Sequence, residues 1–215
     1  MNRSLVDSGD VRGVVAAATE ALRTAAGQDW QAPAGDLSWS CWETVEHVAD
    51  DLFAYAGQLA ADQPPADRYV PWGYRRARPD APALTVYVQH ADGNAGLLQV
   101  LEAAGGLLAA VVRAAPPERR GFHPFGLADA SGFAAMGIVE VLVHLWDLAG
   151  TLEFAWSPDP DVCARVLRRL FPDAPAGQEP WPTLLWCTGR VALPGRARQT
   201  QWRWQADVRS LPAGA

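Results

Sequence analysis

The segment from Gly132 to Ala149 contains the residues best suited to do chemistry. Its only ionisable side chains are Glu140, His144 and Asp147, and every other residue there is apolar or glycine. At roughly 100° of rotation per residue, these three positions fall within a wedge of about 60° on one side of a helix. A helix that is apolar all round is normally buried, and a buried carboxylate without a partner costs several kcal/mol. The polar stripe must therefore face a compensating partner.

A divalent cation would be such a partner. Glu140 and His144 are one helical turn apart and can ligate the same ion, as residues at this spacing do in metal-binding bundles. A third ligand has to come from another helix. His90 falls at the start of a predicted helix and His123 in a loop, whereas His47 lies beside the apolar stripe of a helix. The sequence therefore favours a site of two histidines and a glutamate, with a coordination position open to water or substrate.

The same residues also have plain structural explanations. Glu140 and His144 can form a buried hydrogen bond without a metal, and spacing alone does not separate this interpretation from ligation. Asp147 is a candidate catalytic residue in a supporting role, orienting a ligand or an active-site water, with a hydrogen bond to the preceding loop as the alternative. Asp50 and Asp51 are expected on the solvated surface rather than at a metal.

Four long helices are predicted to position these residues. Apolar spacing and end signals place them at about 11–26, 41–61, 88–114 and 128–151. The second helix has a capping box in Ser40 and Glu43, which can each satisfy a free amide of the first turn. The connections at 62–86 and 119–126 are rich in proline, glycine or arginine and are predicted to be irregular loops.

The chain is expected to form a bundle over residues 1–156 and a small extension over 157–215 that packs on it. Two short helices are predicted in the extension, at about 161–171 and 181–191. Beyond them Trp202 and Trp204 alternate, which fits either a short strand or coil. The predicted class is therefore all-α, with an α or α+β extension.

Composition excludes several classes of function. The chain is 49% apolar and 20% charged with a net charge of −6, and its 18 basic residues are scattered arginines, so no basic stripe is available for nucleic acid. The apolar segments 95–112 and 133–149 contain ionisable residues near their centres, which favours buried helices over membrane spans. Three distant cysteines and an N-terminus without a signal-peptide pattern favour a reducing cytoplasm.

The segments WETVEHVADDL (42–52) and GFAAMGIVEVLVHLWDLA (132–149) resemble the DinB-like superfamily, and within it the mycothiol-dependent maleylpyruvate isomerase group. The resemblance covers most of residues 10–155 and implies a four-helix bundle. It also implies a metal held by His47 of the second helix and by Glu140 and His144 of the fourth. The glutamate at position 140 resembles the isomerase group. Another branch of the superfamily has histidine at both positions of this pair.

The resemblance further implies a zinc-dependent enzyme with a thiol cosubstrate. Relatives of known activity use zinc to activate a low-molecular-weight thiol, mycothiol in actinobacteria, for S-transfer to a small electrophile or for its cis–trans isomerisation. The isomerase group has a separate C-terminal domain that contributes a substrate-binding arginine, whereas about 60 residues follow the bundle here. Arg190 and Arg196 are the candidates to bind a substrate carboxylate, with plain surface arginines as the alternative.

Two other functions are compatible with the same residues. One is a bundle that binds a metal or small ligand without catalysis, and the other is a hydrolase that uses a zinc-bound water. Four tryptophans are candidates to wall an apolar pocket, although core packing is expected for most of them: Trp30, Trp42, Trp72 and Trp146. The sequence leaves the oligomeric state open between a monomer and a homodimer.

Overall fold

The computed structural model describes residues 5–208, and this range contains six α-helices and one short hairpin. The elements are α1 Ser8–Thr24, α2 Cys41–Ala60, α3 Gly93–Ala114, β1 Gly121–His123, β2 Gly126–Ala128, α4 Ala130–Ala149, α5 Pro160–Leu170 and α6 Pro180–Cys187. A single 3-10 turn, His90–Asp92, precedes α3. The mostly helical DinB-like fold with a small extension is confirmed.

The first four helices form a bundle in which α1 and α2 each pack against both α3 and α4. Every residue of α4 from Gly132 to Leu145 is buried. The bundle is tight at Gly137, where a Cβ atom would lie 2.6 Å from Leu108 of α3 and 3.0 Å from Leu52 of α2. This glycine lies one turn before Glu140, so the absence of a side chain allows α2 and α4 to approach closely just where the polar stripe begins.

The predicted capping box at the start of α2 is confirmed. The Ser40 hydroxyl accepts a hydrogen bond from the Glu43 amide at 3.1 Å, and the Glu43 carboxylate accepts one from the Ser40 amide at 3.0 Å. The same carboxylate also pairs with Arg78 at 2.7 Å. The beginning of α2 is thereby fixed, two turns before His47.

Two predicted boundaries and one predicted loop were wrong. The third helix begins at Gly93 rather than near residue 88, because the Val88 amide donates to the Glu46 carboxylate of α2 at 2.8 Å. The last helix ends at Cys187 rather than 191, and Gly189 follows it with a φ of 71°. Part of the predicted 119–126 loop forms the β1–β2 hairpin, with Pro124 and Phe125 in its turn, and Gly126 begins β2 with a positive φ of 130°.

The extension packs on the bundle through α5, which contacts α4 and α6. Beyond α6 the described chain is coil, so the strand alternative for Trp202 and Trp204 was wrong. This coil returns to the bundle, where the Ala206 amide donates to the Phe125 carbonyl of the hairpin. Arg169 of α5 joins the two parts, since it contacts both the Asp129 carboxylate and the Ala206 carbonyl.

Two helical segments, His90–Ala114 and Ala130–Ala149, are long and apolar enough to cross a membrane by length and composition. In the structure 78% of the most apolar window of the second segment is buried, and 44% of that of the first. The apolar character of α4 is thus used for packing against α1, α2 and α3.

Candidate metal site

Three potential ligands from two helices converge in the bundle. One ligand atom from each of His47, Glu140 and His144 lies within 4.8 Å of the other two. The Glu140 Oε2 atom is 3.3 Å from His144 Nε2 and 3.8 Å from His47 Nε2. The two imidazole rings meet edge to face at 5.1 Å between centroids. The polar stripe of α4 and His47 of α2 therefore share one small volume.

The arrangement fits a divalent cation in both distance and donor type. Two ligands bound tetrahedrally at about 2.1 Å from one ion are about 3.4 Å apart, close to the separations seen here. Two imidazole nitrogens and one carboxylate oxygen are a donor set of catalytic zinc sites, which keep a fourth position for water or substrate. The Glu140 carboxylate is buried with these two histidines as neighbours, so a cation would complete its surroundings.

His144 is held from behind by an acidic residue. Its Nδ1 atom lies 3.0 Å from Asp147 Oδ2, which leaves Nε2 directed at Glu140. A carboxylate on the second nitrogen of a metal-binding histidine fixes the tautomer and the ring orientation. The alternative interpretation, in which Asp147 bonds to the loop before α4, was wrong. Asp147 therefore occupies the position of a residue that orients a ligand.

Arg190 of the extension holds Asp147 in turn. Its Nη2 and Nε atoms donate to the two Asp147 oxygens at 2.8 and 3.3 Å, and its Nη1 donates to the Thr188 carbonyl at 2.9 Å. The guanidinium is only 13% exposed, so it is not a plain surface arginine. Arg196, by contrast, is exposed and lies 5.7 Å from the Trp186 ring. The structure thus brings only the first of the two candidate arginines to the site.

The charges of the site compensate one another. Burial would raise the pKa of Glu140, but the hydrogen bond and charge of His144 and the charges of His47 and Arg190 outweigh it, so this pKa lies below its usual value. Burial would likewise raise the pKa of Asp147, and hydrogen bonds from His144 and Arg190 reverse the effect. Burial and the neighbouring His144 lower the pKa of His47 to about 4. At neutral pH both carboxylates are therefore ionised and His47 offers a neutral nitrogen.

The expectation that Asp50 and Asp51 are solvated was wrong. Asp50 is 7% exposed, and its carboxylate accepts hydrogen bonds from the Thr85 and Val86 amides at 2.8 and 2.6 Å. It fixes the long connection between α2 and α3 to the bundle. Asp51 is half-buried with Oδ2 at 3.5 Å from His47 Nε2. Burial and the charge of Glu140 raise its pKa well above the usual value.

Sequence reasoning missed two aromatic residues around the ligands, Trp39 and Tyr55. The ring of Trp39 lies 4.8 Å from that of His47 and 6.4 Å from that of His144. Tyr55 is buried two turns after His47 on α2, and burial raises its pKa, with a further contribution from a hydrogen bond to Glu140. The spacing of His47, Asp51 and Tyr55, four residues apart each time, was the available signal for one polar face of α2.

His123, which was expected in a loop, lies in β1 and is buried. Its ring is 6.3 Å from that of Tyr55, and its Nδ1 atom accepts a hydrogen bond from the Phe125 amide at 3.1 Å. Burial lowers its pKa to about 4. The residue is therefore a neutral histidine at the edge of the site, with the proton on Nε2.

The four candidate tryptophans separate into two groups. Trp30 and Trp42 are 3% exposed and belong to the core, as expected for most of the set. Trp72 is exposed with its ring 5.6 Å from that of Phe53, and Trp146 is exposed at the end of α4. Only the last of these lines a cleft near the ligands.

Comparison with known proteins agrees with the geometry. The family model described as the mycothiol maleylpyruvate isomerase N-terminal domain matches residues 11–149, which is more than half of the chain. The matched segment begins in α1, ends with the last residue of α4 and includes all three potential ligands. Searches among curated proteins and among solved structures gave no match. Residues 11–149 thus place the chain in the mycothiol maleylpyruvate isomerase family, to which it belongs through this N-terminal domain.

Proposed function

We propose that the protein is a zinc-dependent enzyme that activates a low-molecular-weight thiol, mycothiol or a close analogue. The thiol would be transferred to a small electrophile or would assist its cis–trans isomerisation. The observation that supports this most is the convergence of one atom each from His47, Glu140 and His144 within 4.8 Å, in a chain of this family. The donor set is the one that keeps a position open for a substrate atom.

The side chains have separate roles in this proposal. His47, Glu140 and His144 would hold the ion. Asp147 keeps a proton on His144 Nδ1, so Nε2 is the nitrogen that would bind the ion in place of its hydrogen bond to Glu140. When bound, zinc supplies a Lewis acid that favours the thiolate form of a thiol over the neutral form. The Trp39 ring lies 4.8 Å from that of His47 and 6.4 Å from that of His144, so it provides apolar surface beside the two imidazoles.

The chain's own cysteines favour a thiol that comes from outside. Cys41, Cys163 and Cys187 are all free and buried, and burial raises their pKa values to about 11, 12 and 11. A reactive cysteine needs the opposite, a lowered pKa and access to solvent. The nucleophilic sulfur is therefore assigned to a cosubstrate. Free, buried thiols also fit our proposal that the protein works in a reducing cytoplasm.

Metal analysis and a thiol-dependence assay test the proposal together. Protein purified without chelator is expected to contain about one equivalent of a divalent ion. The variant His144→Ala should lose it, whereas His90→Ala, which changes an exposed histidine, should retain it. Turnover of small electrophiles, beginning with maleylpyruvate, should require both the metal and added mycothiol.

Three outcomes would contradict this function. A native protein that binds no zinc at micromolar concentration would remove the metal centre from the proposal. Metal-dependent turnover that proceeds equally well without any thiol would instead indicate hydrolysis by a zinc-bound water. Metal binding without turnover of any electrophile would favour the non-catalytic bundle.

A further inference from the structure

The third helix, α3, leaves an apolar surface uncovered. Its segment is apolar enough to cross a membrane by length and composition, yet only 44% of its most apolar window is buried, against 78% for α4. Leu107, in the middle of the exposed side, is 49% exposed. At about 100° per residue, Gln99 is the only polar side chain within the arc around it. We call the exposed or half-exposed residues of this arc the α3 face: Val100, Ala103, Gly106, Leu107, Ala110 and Val111. An apolar helix side of this kind is typical of a contact surface.

Two adjacent glycines of α3 differ in what accounts for them. A Cβ atom at Gly105 would lie 2.7 Å from a methyl group of Val15, so this glycine lets α1 and α3 approach closely. At Gly106 a Cβ atom would meet nothing within 4 Å. Glycine in the middle of a helix costs stability, and alanine would fit this space. No contact within residues 5–208 accounts for Gly106, whereas a second helix lying close against the α3 face would.

The two charged residues of α3 are placed so that the α3 face complements itself. Glu102 and Arg113 are eleven residues apart, which is about three helical turns, so both lie on one edge of the face and on either side of Leu107. A two-fold axis through the middle of the helix would lay a second copy antiparallel to the first. Each Glu102 would then lie beside the Arg113 of the other copy, and both pairs would form along the same edge.

Both charged side chains are accessible for such pairs. Glu102 Oε1 accepts a hydrogen bond from Arg23 Nη2 at 2.9 Å, but its side chain remains 41% exposed. Arg113 is exposed and forms no ion pair within the part of the chain that the structure describes. Glu102 would therefore lie between Arg23 of its own chain and Arg113 of the second copy. An unrelated partner would have to match this charge pattern separately, whereas a second copy matches it by symmetry.

We propose that the α3 face is a homodimer interface, in which two copies of α3 pack antiparallel about a two-fold axis near Leu107. Leu107 and the small residues around it form the apolar centre, and the Glu102–Arg113 pairs form one rim. A contact made mainly by one helix is small, so we expect a reversible dimer with a Kd in about the micromolar range. None of the three potential metal ligands belongs to α3, so the inference does not rest on the proposed function.

Sedimentation equilibrium of the full-length protein from about 1 to 200 μM tests the interface, and the wild type should pass from monomer to dimer over this range. Leu107→Glu places two carboxylates at the centre and should abolish the dimer. Leu127→Glu, the same change at an exposed leucine of β2, should change the Kd less than about twofold. Gly106→Leu should weaken the dimer because its side chain would hold the helices apart. The same variant should raise the thermal midpoint of the monomer, since it replaces a glycine within a helix.

Exchange of the charges tests the antiparallel arrangement. Glu102→Arg alone would place like charges at both ends of the rim and should weaken the dimer about tenfold, since symmetry doubles each substitution. Combining it with Arg113→Glu restores both pairs and should return the Kd to within about threefold of the wild type. Thermal unfolding of each variant shows whether it is folded.

A wild type that stays monomeric throughout the concentration range would overturn the inference. Folded single and double charge variants with equal Kd values would overturn it as well. A monomer that binds phosphatidylcholine vesicles, and loses this binding in Leu107→Glu, would assign the α3 face to a lipid surface instead.

Discussion

The metal site and the cleft between the extension and the C-terminal end of α4 both border one carboxylate, that of Asp147, and they are built differently. The potential ligands come from two long helices, and the apolar packing of α4 fixes their directions. The cleft is closed by coil residues of the extension and contains exposed tryptophans and paired charges. The first region lies wholly within the family match, and the second lies mostly outside it.

The two regions therefore differ in how much change in sequence they can tolerate. Ligands on helices that are buried against each other are held precisely and can tolerate little change. A wall made of coil can vary in sequence without disturbing the bundle, because few core contacts depend on it. In the proposed function, the helices would provide the metal chemistry and the extension would adapt it to a particular ligand. The predictions below test that division, beginning with the helices.

Removing the Glu140 carboxylate should reduce zinc affinity the most. In Glu140→Ala the ion would lose one of three protein ligands, and the two imidazoles would lose the anion between them. Zinc affinity is expected to fall by roughly 100-fold or more, since each ligand contributes several kcal/mol to a site of this kind. Competition with a chromogenic chelator measures the change.

The matched control for this variant is Glu102→Ala on α3, which removes an exposed glutamate that pairs with Arg23. It should leave zinc affinity unchanged. A similar loss in both variants would mean that overall charge, rather than ligation, controls metal binding.

The free energy of unfolding is expected to depend on pH through His123, which lies where the extension coil meets the hairpin. His123 lies between Tyr55 and Trp204, and burial lowers its pKa from 6.5 to about 4. As the pH falls from 6.5 toward 4, the unfolded chain takes up a proton that the folded chain does not, so stability is lost. The loss reaches up to about 3 kcal/mol and saturates below the folded pKa.

Urea unfolding at pH 7 and pH 4.5 measures this term. His123→Gln should flatten the difference between the two pH values, whereas His90→Gln, at an exposed position, should not. His47 adds a similar dependence in both variants, so only the difference between the variants is informative. Equal pH dependence in the two variants would show that His123 is accessible to protons in the folded state.

Removing the charge of Asp147, which borders both regions, should lower metal affinity by an intermediate amount. Asp147→Asn retains the shape of the side chain but removes the charge that holds the Nδ1 proton of His144. Loss of such a supporting residue typically costs about 10- to 100-fold in metal affinity. The same change leaves the Arg190 guanidinium without its carboxylate partner. Tighter binding of maleate by this variant would be the expected sign of an unpaired guanidinium.

The sequence revealed the helical half of the site because helical periodicity is regular. Glu140 and His144 had to point the same way on a helix that is apolar elsewhere, and the capping box fixed where α2 begins. Periodicity does not report contacts between distant segments. The pairing of Asp147 with Arg190 spans 43 residues and depends on how the extension returns to the bundle. Trp39 was missed for the same reason, since its ring folds back over His47 from a loop.

Unexpected burial of a carboxylate was another reason why predictions from the sequence were wrong. Asp50 was expected in solvent because carboxylates are rarely buried unless they are paired. Its partners are two backbone amides in the long connection before α3, which have no signature in the sequence. The hairpin at residues 121–128 was missed because each strand has only three residues, too few for an alternating pattern to be recognised.

The smallest predicted effect compares two arginines of the extension. Arg190→Gln and Arg196→Gln remove the same charge from the same segment, but only Arg190 contacts Asp147. Loss of that contact should let the carboxylate reorient and weaken zinc binding by about three- to tenfold, whereas Arg196→Gln should stay within twofold. Zinc competition measured side by side at 0.15 M salt tests the pair, because long-range effects are largely screened there. Equal effects of the two substitutions would mean that the extension influences zinc binding through its overall charge. The contact between Arg190 and Asp147 would then not be what connects the extension to the metal-binding bundle.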